Sequence, residues 1–339
     1  MSRVLSVENL GIGFRSEGQD FTVVRDVSFS LEAGQTLALV GESGSGKSVT
    51  SLGIMGLLPP PPQSRTTGRI VLHGGDGDGD IELLGLPESR MRRLRGDRIA
   101  MIFQEPLTSL NPVHTIGDQI VEAIRSHRRV SRAKARTRAV ELLEQVGIPD
   151  PQERLGTYPH ELSGGMRQRI MIAIALALEP DILIADEPTT ALDVTVQAQI
   201  LDLLRRLQKD TGMAMLFITH DFGVVADIAD RTIVMYAGQT VEEGRTETVL
   251  SDPLMPYTIG LMNAVPRLET AGLKLGDLKT IEGFVPDPAA LPQGCSFHPR
   301  CAYMQEGLCD TSPPSIEDAG GGHMVRCKRW RQIGEGRET

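Results

Sequence analysis

The chain has 339 residues, 40% of them hydrophobic, which is enough for one large or two ordinary domains with a sizeable core. A formal net charge of −9, with no long run of Lys or Arg, argues against a free-standing nucleic-acid binder. The longest apolar run, residues 170–178, is far short of the ~20 residues that span a bilayer, and the N-terminal MSRVLSVENL lacks the apolar core of a secretory leader, so a soluble, non-secreted protein is expected.

In chain order, residues 4–14 and 23–31 read as two β-rich stretches around a polar turn, predicting a hairpin or antiparallel sheet. Thr36-Leu37-Ala38-Leu39-Val40 then has the apolar character of a short buried strand. It leads into Gly41-Glu42-Ser43-Gly44-Ser45-Gly46-Lys47-Ser48, which satisfies G-x4-G-K-S/T, and the residues from Val49 onward can wind as a helix. Strand, glycine loop and helix in this order make a P-loop. The glycines let backbone N–H groups converge on a phosphate, and the helix N-terminus adds partial positive charge. Lys47 reaches the β- and γ-phosphates, and Ser48 offers its hydroxyl to Mg²⁺.

The four prolines at 59–62 stop the P-loop helix, and a strand is predicted at 68–73. The Gly/Asp run that follows, 74–80, lacks the glycine and glutamate of a calcium loop (Ile81 and Pro87 stand there) and reads as a solvated hairpin tip. Residues 99–103 form a short apolar strand ending in Gln104-Glu105-Pro106, after which the pattern turns helical. Thr115 is placed to cap a helix over 116–126, and Ser131 opens a basic amphipathic stretch whose apolar side carries Ala139, Leu142, Leu143 and Val146. A helical insert of about 106–178 therefore interrupts an α/β domain. Its basic face, from Arg125 to Arg138, reads as a solvated helix surface.

Residues 181–186 follow a buried-strand pattern closed by Asp186-Glu187-Pro188. A helix at 194–209, a strand at 213–218 and the triplet Thr219-His220-Asp221 come next. One more strand, 231–236, precedes Gly238 and Gly244, which break the pattern. Strands and helices alternating about a P-loop imply a mostly parallel sheet with helices on its faces. Beyond about residue 266 the chain becomes a loop-rich, proline-bearing tail that contains all four cysteines, Cys295, Cys301, Cys309 and Cys327, spaced C-x5-C-x7-C-x17-C. Thiolates suit zinc and iron–sulfur clusters alike. The short knuckles of a zinc ribbon are missing, and wide spacing in an irregular tail can wrap a larger cluster. Zinc, with His298 or His323 as substitute ligands, and free thiols are the alternatives.

The run Leu162-Ser163-Gly164-Gly165-Met166-Arg167-Gln168-Arg169, taken with the P-loop, Gln104, DILIADEP and Thr219-His220 in that order, closely resembles the ATP-binding cassette of ABC transporters. The resemblance covers roughly residues 4–250. It implies an ATPase with an α/β fold, a P-loop ABC-type nucleotide-binding domain with a RecA-like, mostly parallel sheet core, an antiparallel β subdomain and an α-helical subdomain. A loop-rich C-terminal metal-binding extension follows, with expected boundaries of 1–264 for the cassette and 265–339 for the extension.

By the family's pattern, ATP is held by Gly41, Ser43, Gly44, Ser45, Gly46, Lys47, Ser48 and Val49. Phe14 stacks on adenine, with Phe21 as the competing candidate. Ser48, Gln104 and Asp186 serve Mg²⁺, Glu187 is the general base, Gln104 approaches metal and water, and His220 contacts the γ-phosphate and links it to Glu187. Ser163, Gly165 and Asp193 serve the nucleotide of a second cassette in a head-to-tail dimer.

A narrower resemblance rests on VGESGSGKSVT, IAMIFQEPLTSLNPV, the stretch from YPHELSGGMRQR to TVQAQIL, and LPQGCSFHPRC in the tail. These look like an ATP-binding subunit of the oligopeptide, dipeptide and nickel importer subgroup. That implies a second homologous ATP-binding subunit, two transmembrane permeases and an extracytoplasmic solute-binding protein. It also implies a peripheral position on the cytoplasmic face of the inner (plasma) membrane and a [4Fe-4S] cluster on the four cysteines. Peptide uptake is the expected function; import of nickel or another solute is the alternative. A cluster would lock the tail, so Cys301→Ser is expected to loosen it while sparing nucleotide binding at Lys47. A soluble ABC ATPase of DNA repair or translation is a rival from another class, opposed by the single cassette and ordinary insert. A P-loop kinase is opposed by the LSGGM run.

Overall fold

A computed structural model describes residues 2–16, 18–74, 79–104, 109–190, 192–264 and 280–335. The described elements begin with β1 (Arg3–Ser16), β2 (Gln19–Glu32), β3 (Thr36–Val40), α1 (Lys47–Ile54), β4 (Ser64–Leu72), β5 (Ile81–Glu82), α2 (Glu88–Leu94) and β6 (Ile99–Ile102). The middle of the chain holds α3 (Ile116–His127), α4 (Arg132–Gln145), the single turn α5 (Pro151–Arg154), α6 (Gly164–Ala175), β7 (Ile182–Asp186), α7 (Val194–Thr211) and β8 (Ala214–Thr219). Then come α8 (Phe222–Ile228), β9 (Arg231–Tyr236), β10 (Gln239–Arg245), α9 (Thr246–Ser251), α10 (Pro256–Asn263), β11 (Glu317–Asp318), β12 (Met324–Val325) and α11 (Trp330–Glu335). The tip of the acidic Gly/Asp run, the residues just after Gln104 and the expected boundary at 264/265 fall at or beyond the edges of the described residues. The chain divides into two compact units. The first is Met1–Leu5, Leu31–Gln35 and Leu72–Ile218; the second is Ser6–Ser30, Thr36–Val71 and Thr219–Thr339.

In the first unit β6, β7 and β8 run parallel, with Ile99 opposite Ile182 and Ile182 opposite Ala214. Every residue of β7 and β8 is buried, which is why both read as continuous apolar runs rather than as alternating ones. The helices start where their caps stand. Thr115 accepts from the Asp118 N–H ahead of α3, and Ser131 from the Lys134 N–H ahead of α4. Ala135, Ala139, Leu142 and Leu143 bury one side of α4. On its other side Arg132 pairs with Asp118, and Arg138 with Glu141 and Glu179. The basic face predicted from the sequence is thus a paired, solvated surface at these positions.

In the second unit β1 lies between β2 and β4. The buried positions of β1 change phase from Leu5 and Val7 to Leu10 and Ile12. The change falls at Asn9, whose φ of 48° inserts an irregularity and whose N–H donates to Ser28 Oγ. The fully buried β3 pairs with β9 in parallel, Leu37 opposite Arg231, and β10 returns antiparallel to β9. Strand β10 contradicts the sequence reading, which ended the pattern at Gly238 and Gly244. Gly244 lies inside the strand, where a Cβ would come within 3.2 Å of Val249, so this glycine marks close packing and not a break.

The C-terminal extension packs within this second unit. Strand β12 pairs antiparallel with β10, Val325 opposite Glu242, and β11 adds one further short strand. Glu242 is fully buried; its carboxylate accepts from Leu254 N–H at 2.6 Å and Met255 N–H at 3.2 Å, with His323 Nε2 at 2.8 Å. Tyr236, Tyr257 and Phe297 form an aromatic trio with ring centroids 4.6–5.3 Å apart.

The expected metal centre is not found, and the expectations of a [4Fe-4S] cluster, its zinc alternative and a metal-binding extension are corrected accordingly. Among the described residues no group of three or more His, Cys, Asp and Glu is arranged to hold a metal ion. Cys295, Cys301, Cys309 and Cys327 are free, partly buried thiols around a cavity of about 20 Å³, room for roughly one water. Met255, Pro256, Phe297 and Ile333 line the same cavity. Burial pushes the Cys295 thiol up, and pushes Cys301 and Cys327 up to about 11. Of the candidate histidines, His323 is engaged with Glu242, away from the thiols, while His298 lines the same cavity with its Nδ1 3.0 Å from the Cys295 carbonyl. The spacing of the thiols was legible; their apolar surroundings were not, and there a thiol behaves as a small hydrophobe.

Two outcomes follow from this packing. Glu242→Ala leaves two buried N–H donors unpaired and should cost about 3 kcal/mol, read as a lower urea midpoint of the full chain, with a smaller loss for Glu242→Gln, which keeps an acceptor. Because the folded-state pKa of Cys301 and Cys327 is raised to about 11, both stay protonated at pH 8. Their iodoacetamide labelling, followed by mass spectrometry at pH 8, should be about a hundredfold slower than in the urea-unfolded chain, with the difference shrinking as pH approaches the folded-state values.

Candidate active site

The phosphate cradle belongs to the second unit. Strand β3 ends at Val40, and the loop turns through Gly41 (φ 155°), Gly44 (φ 80°) and Gly46 (φ 101°) into α1. Gly41 is required by contact as well as by conformation, since a Cβ there would lie 2.3 Å from the Met235 carbonyl oxygen. Lys47 is buried, and its Nζ donates to the carbonyl oxygens of Gly41 at 2.6 Å and Glu42 at 3.0 Å, which holds the ammonium over the loop. Ser45 is buried, and Thr50 Oγ1 ties the start of α1 to the Gly46 carbonyl at 2.9 Å.

The same unit contains the candidate adenine platform. Phe14 on β1 and Phe21 on β2 stack with centroids 6.1 Å apart and planes 30° apart. They line one open groove with Pro61, Pro62, Ser64 and Arg65, so the two residues weighed as competitors in the sequence form a single surface. His220 is exposed directly after β8. The turn around it is fixed by Asp221, whose N–H donates to Thr219 Oγ1 at 3.1 Å and whose carboxylate accepts from the Gly223 N–H at 2.7 Å.

The first unit carries the acidic strand end. Asp186 is the last residue of β7 and is buried. Glu187 follows with φ 47°, a left-handed conformation uncommon for a residue with a side chain and found preferentially at functional positions. Its N–H donates to the Ile218 carbonyl at 2.9 Å. Its Oε2 accepts from Thr190 Oγ1 at 2.8 Å and from Gln104 Nε2 at 3.2 Å. Gln104 and Glu187, 83 positions apart in sequence, are therefore brought into contact.

The signature run opens α6. Ser163 is its N-cap, with Oγ accepting from the Met166 N–H at 3.3 Å, and it stands exposed at the helix start. Asp193 has the same relation to α7, accepting from the Val196 N–H at 2.9 Å, beside Val194, which is 83% exposed. Gly165 has a packing reason of its own: a Cβ there would meet Val196 at 2.8 Å.

Sequence reasoning missed the partners of Glu42. Its N–H donates to Tyr257 Oη at 2.8 Å, and its carboxylate accepts from Arg300 Nη1 at 2.8 Å and Nη2 at 3.0 Å. The only signal available was the Glu within the P-loop itself, since Arg300 lies 258 residues away.

Comparison with known proteins identifies the family. The family model described as "ABC transporter" matches residues 24–190, and the one described as "Oligopeptide/dipeptide transporter, C-terminal region" matches 241–309. A Brucella abortus protein provisionally named a peptide import ATP-binding protein is 53% identical over 338 residues, covering 98% of this chain and 99% of that protein. The dipeptide transport ATP-binding protein DppD of Bacillus subtilis is 50% identical over 332 residues, covering 98% of this chain and 96% of its own length. Among solved structures, a dimeric ATP-binding cassette in a post-hydrolysis state with ADP and phosphate aligns with a TM-score of 0.62 at 26% identity, over 71% of this chain and 98% of that one. With half of its residues shared across nearly its whole length, the chain belongs to the ABC transporter family of ATP-binding proteins, in the oligopeptide/dipeptide transporter group.

Proposed function

We propose that this chain is the ATP-hydrolysing subunit of a membrane importer that takes up peptides. The observation that carries the catalytic part is the Glu187 carboxylate, held by Thr190 and Gln104 in a left-handed turn at the end of a buried strand. A carboxylate fixed in this way can orient a water and take its proton as the water attacks the γ-phosphate, with Gln104 as its neighbour and His220 as a second polar contact to that phosphate. The cradle of Gly41, Ser43, Gly44, Ser45, Gly46, Lys47, Ser48 and Val49 binds the phosphates through backbone N–H groups and the Lys47 ammonium. The donor set assigned to the metal, the Ser48 hydroxyl, the Gln104 amide oxygen and the Asp186 carboxylate, is all hard oxygen and fits Mg²⁺. When bound, Mg²⁺ supplies neutralisation of phosphate charge. The Phe14 and Phe21 rings take the adenine face.

The peptide assignment is supported by the names of the relatives, among them the dipeptide transport ATP-binding protein DppD and the oligopeptide transport ATP-binding protein OppD of Bacillus subtilis. The chain acts with a second ATP-binding subunit, two permeases and a solute-binding protein, on the cytoplasmic face of the membrane. No helix among the described residues is long and apolar enough to cross a bilayer. Exposed Ser163, Asp193 and Val194 support a head-to-tail pairing in which this signature run faces the partner's nucleotide.

Glu187→Gln should retain Mg²⁺-ATP binding while the turnover of the assembled transporter falls at least about a hundredfold; unchanged turnover would remove Glu187 as the base. Lys47→Ala should instead weaken nucleotide binding itself. Ser163→Ala should cost about 3 kcal/mol of transition-state stabilisation at the nucleotide held by the partner, and leave binding at this chain's own cradle unchanged. Mixed complexes, with the variant in one subunit only, distinguish the two sites.

A further inference from the structure

Glu42, the second residue of the phosphate cradle, is held at three points. Its N–H donates to Tyr257 Oη at 2.8 Å, its carbonyl accepts from Lys47 Nζ at 3.0 Å, and its carboxylate receives both Nη atoms of Arg300 at 2.8 and 3.0 Å. Arg300 comes from the C-terminal extension, and its side chain is only 6% exposed. It is built into that extension by Nε donating to the Glu282 carbonyl at 2.8 Å and Nη2 to the Gly283 carbonyl at 3.2 Å, and it lies over the Tyr236 and Phe297 rings at 5.8 and 6.0 Å. The hydrogen bonds to Glu42 raise the Arg300 pKa, and burial raises that of Tyr257, so the guanidinium stays charged and the phenol neutral at any working pH.

Binding a polyphosphate places several negative charges at this loop, and a carboxylate at its second position opposes them. Arg300 cancels that charge and fixes the backbone turn that carries it. We propose that Arg300 is a positioning residue for the nucleotide site, and that the C-terminal extension clamps the phosphate cradle through Glu42 and Tyr257, so that nucleotide binding and docking of the extension are linked. The clamp rests on the reading of the cradle as an ATP site. By reciprocity, a docked extension raises affinity for nucleotide, and nucleotide holds the extension down. The extension is therefore part of the nucleotide-binding apparatus, against the expectation that changes in the tail spare binding at Lys47.

The test is a titration of the full-length chain with a fluorescent ATP analogue and Mg²⁺, for wild type, Arg300→Met, Glu42→Gln and the double variant. Arg300→Met leaves the Glu42 charge uncompensated and should weaken binding about tenfold, within the usual range of coupling between sites. Glu42→Gln removes that charge, so the double variant should return to within about twofold of wild type, a rescue that a purely structural role for Arg300 does not produce. Hydrogen exchange over residues 281–301 gives a second readout. Mg²⁺-ATP should raise protection there in wild type and have no such effect in the double variant. Wild-type affinity in Arg300→Met, or a double variant as weak as Arg300→Met, would overturn the clamp while leaving the ATPase reading intact. A wild-type chain that binds no nucleotide would overturn both.

Discussion

Buried parallel strands set the terms for this protein. A strand covered on both faces is apolar along most of its length, so charged groups gather where it ends and any hydroxyl inside it needs a partner. Each unit obeys this constraint separately. In the second unit β3 is apolar up to Val40, and the glycine loop begins at the next residue. In the first, β7 is buried to its last position, where Asp186 and then Glu187 stand, and β8 is buried up to Thr219. The residues with chemistry to perform are those the strands cannot keep inside, which is the general reason that ligands meet open α/β sheets at strand ends.

Several motif residues also have local structural tasks. Ser163 and Asp193 are assigned to a partner's nucleotide by resemblance, and both are helix N-caps within their own unit. These tasks are compatible, because a capped helix start presents converging N–H groups and partial positive charge on an exposed surface. Gly165 is needed for Val196 to pack beside it, so its small size answers to α7 as well as to any nucleotide. The left-handed Glu187 is different in kind. Its φ of 47° is fixed where its N–H meets the Ile218 carbonyl at 2.9 Å, and its carboxylate is held by the side chains of Thr190 and Gln104.

Within the second unit the extension is held by two polar contacts and an aromatic cluster. His323 meets Glu242, Arg300 meets Glu42, and Phe297 closes on Tyr236 and Tyr257. A buried carboxylate is costly unless several donors converge on it, and fully buried Glu242 has two backbone N–H donors; half-buried Glu42 receives both Nη atoms of Arg300. Cys295, Cys301 and Cys327 pack against the apolar core of the second unit, and all four thiols line one small cavity there without forming a ligand set among the described residues.

What the sequence by itself determined is what can be specified within a turn or a single element. The P-loop spacing, the caps at Thr115 and Ser131, the apolar runs of β3, β7 and β8, and the order of the family motifs were legible because each depends on neighbours a few residues away. Strand β10 was hidden by Gly244, whose smallness serves a contact with Val249 that no local pattern encodes. The contact between Gln104 and Glu187 spans 83 positions, the pair of Glu42 and Arg300 spans 258, and the union of Phe14 and Phe21 in one groove depends on how two strands pair. The chemistry of the cysteines was likewise decided by tertiary structure alone. Spacing counts thiols, whereas their protonation and access depend on the apolar groups that folding brings around them.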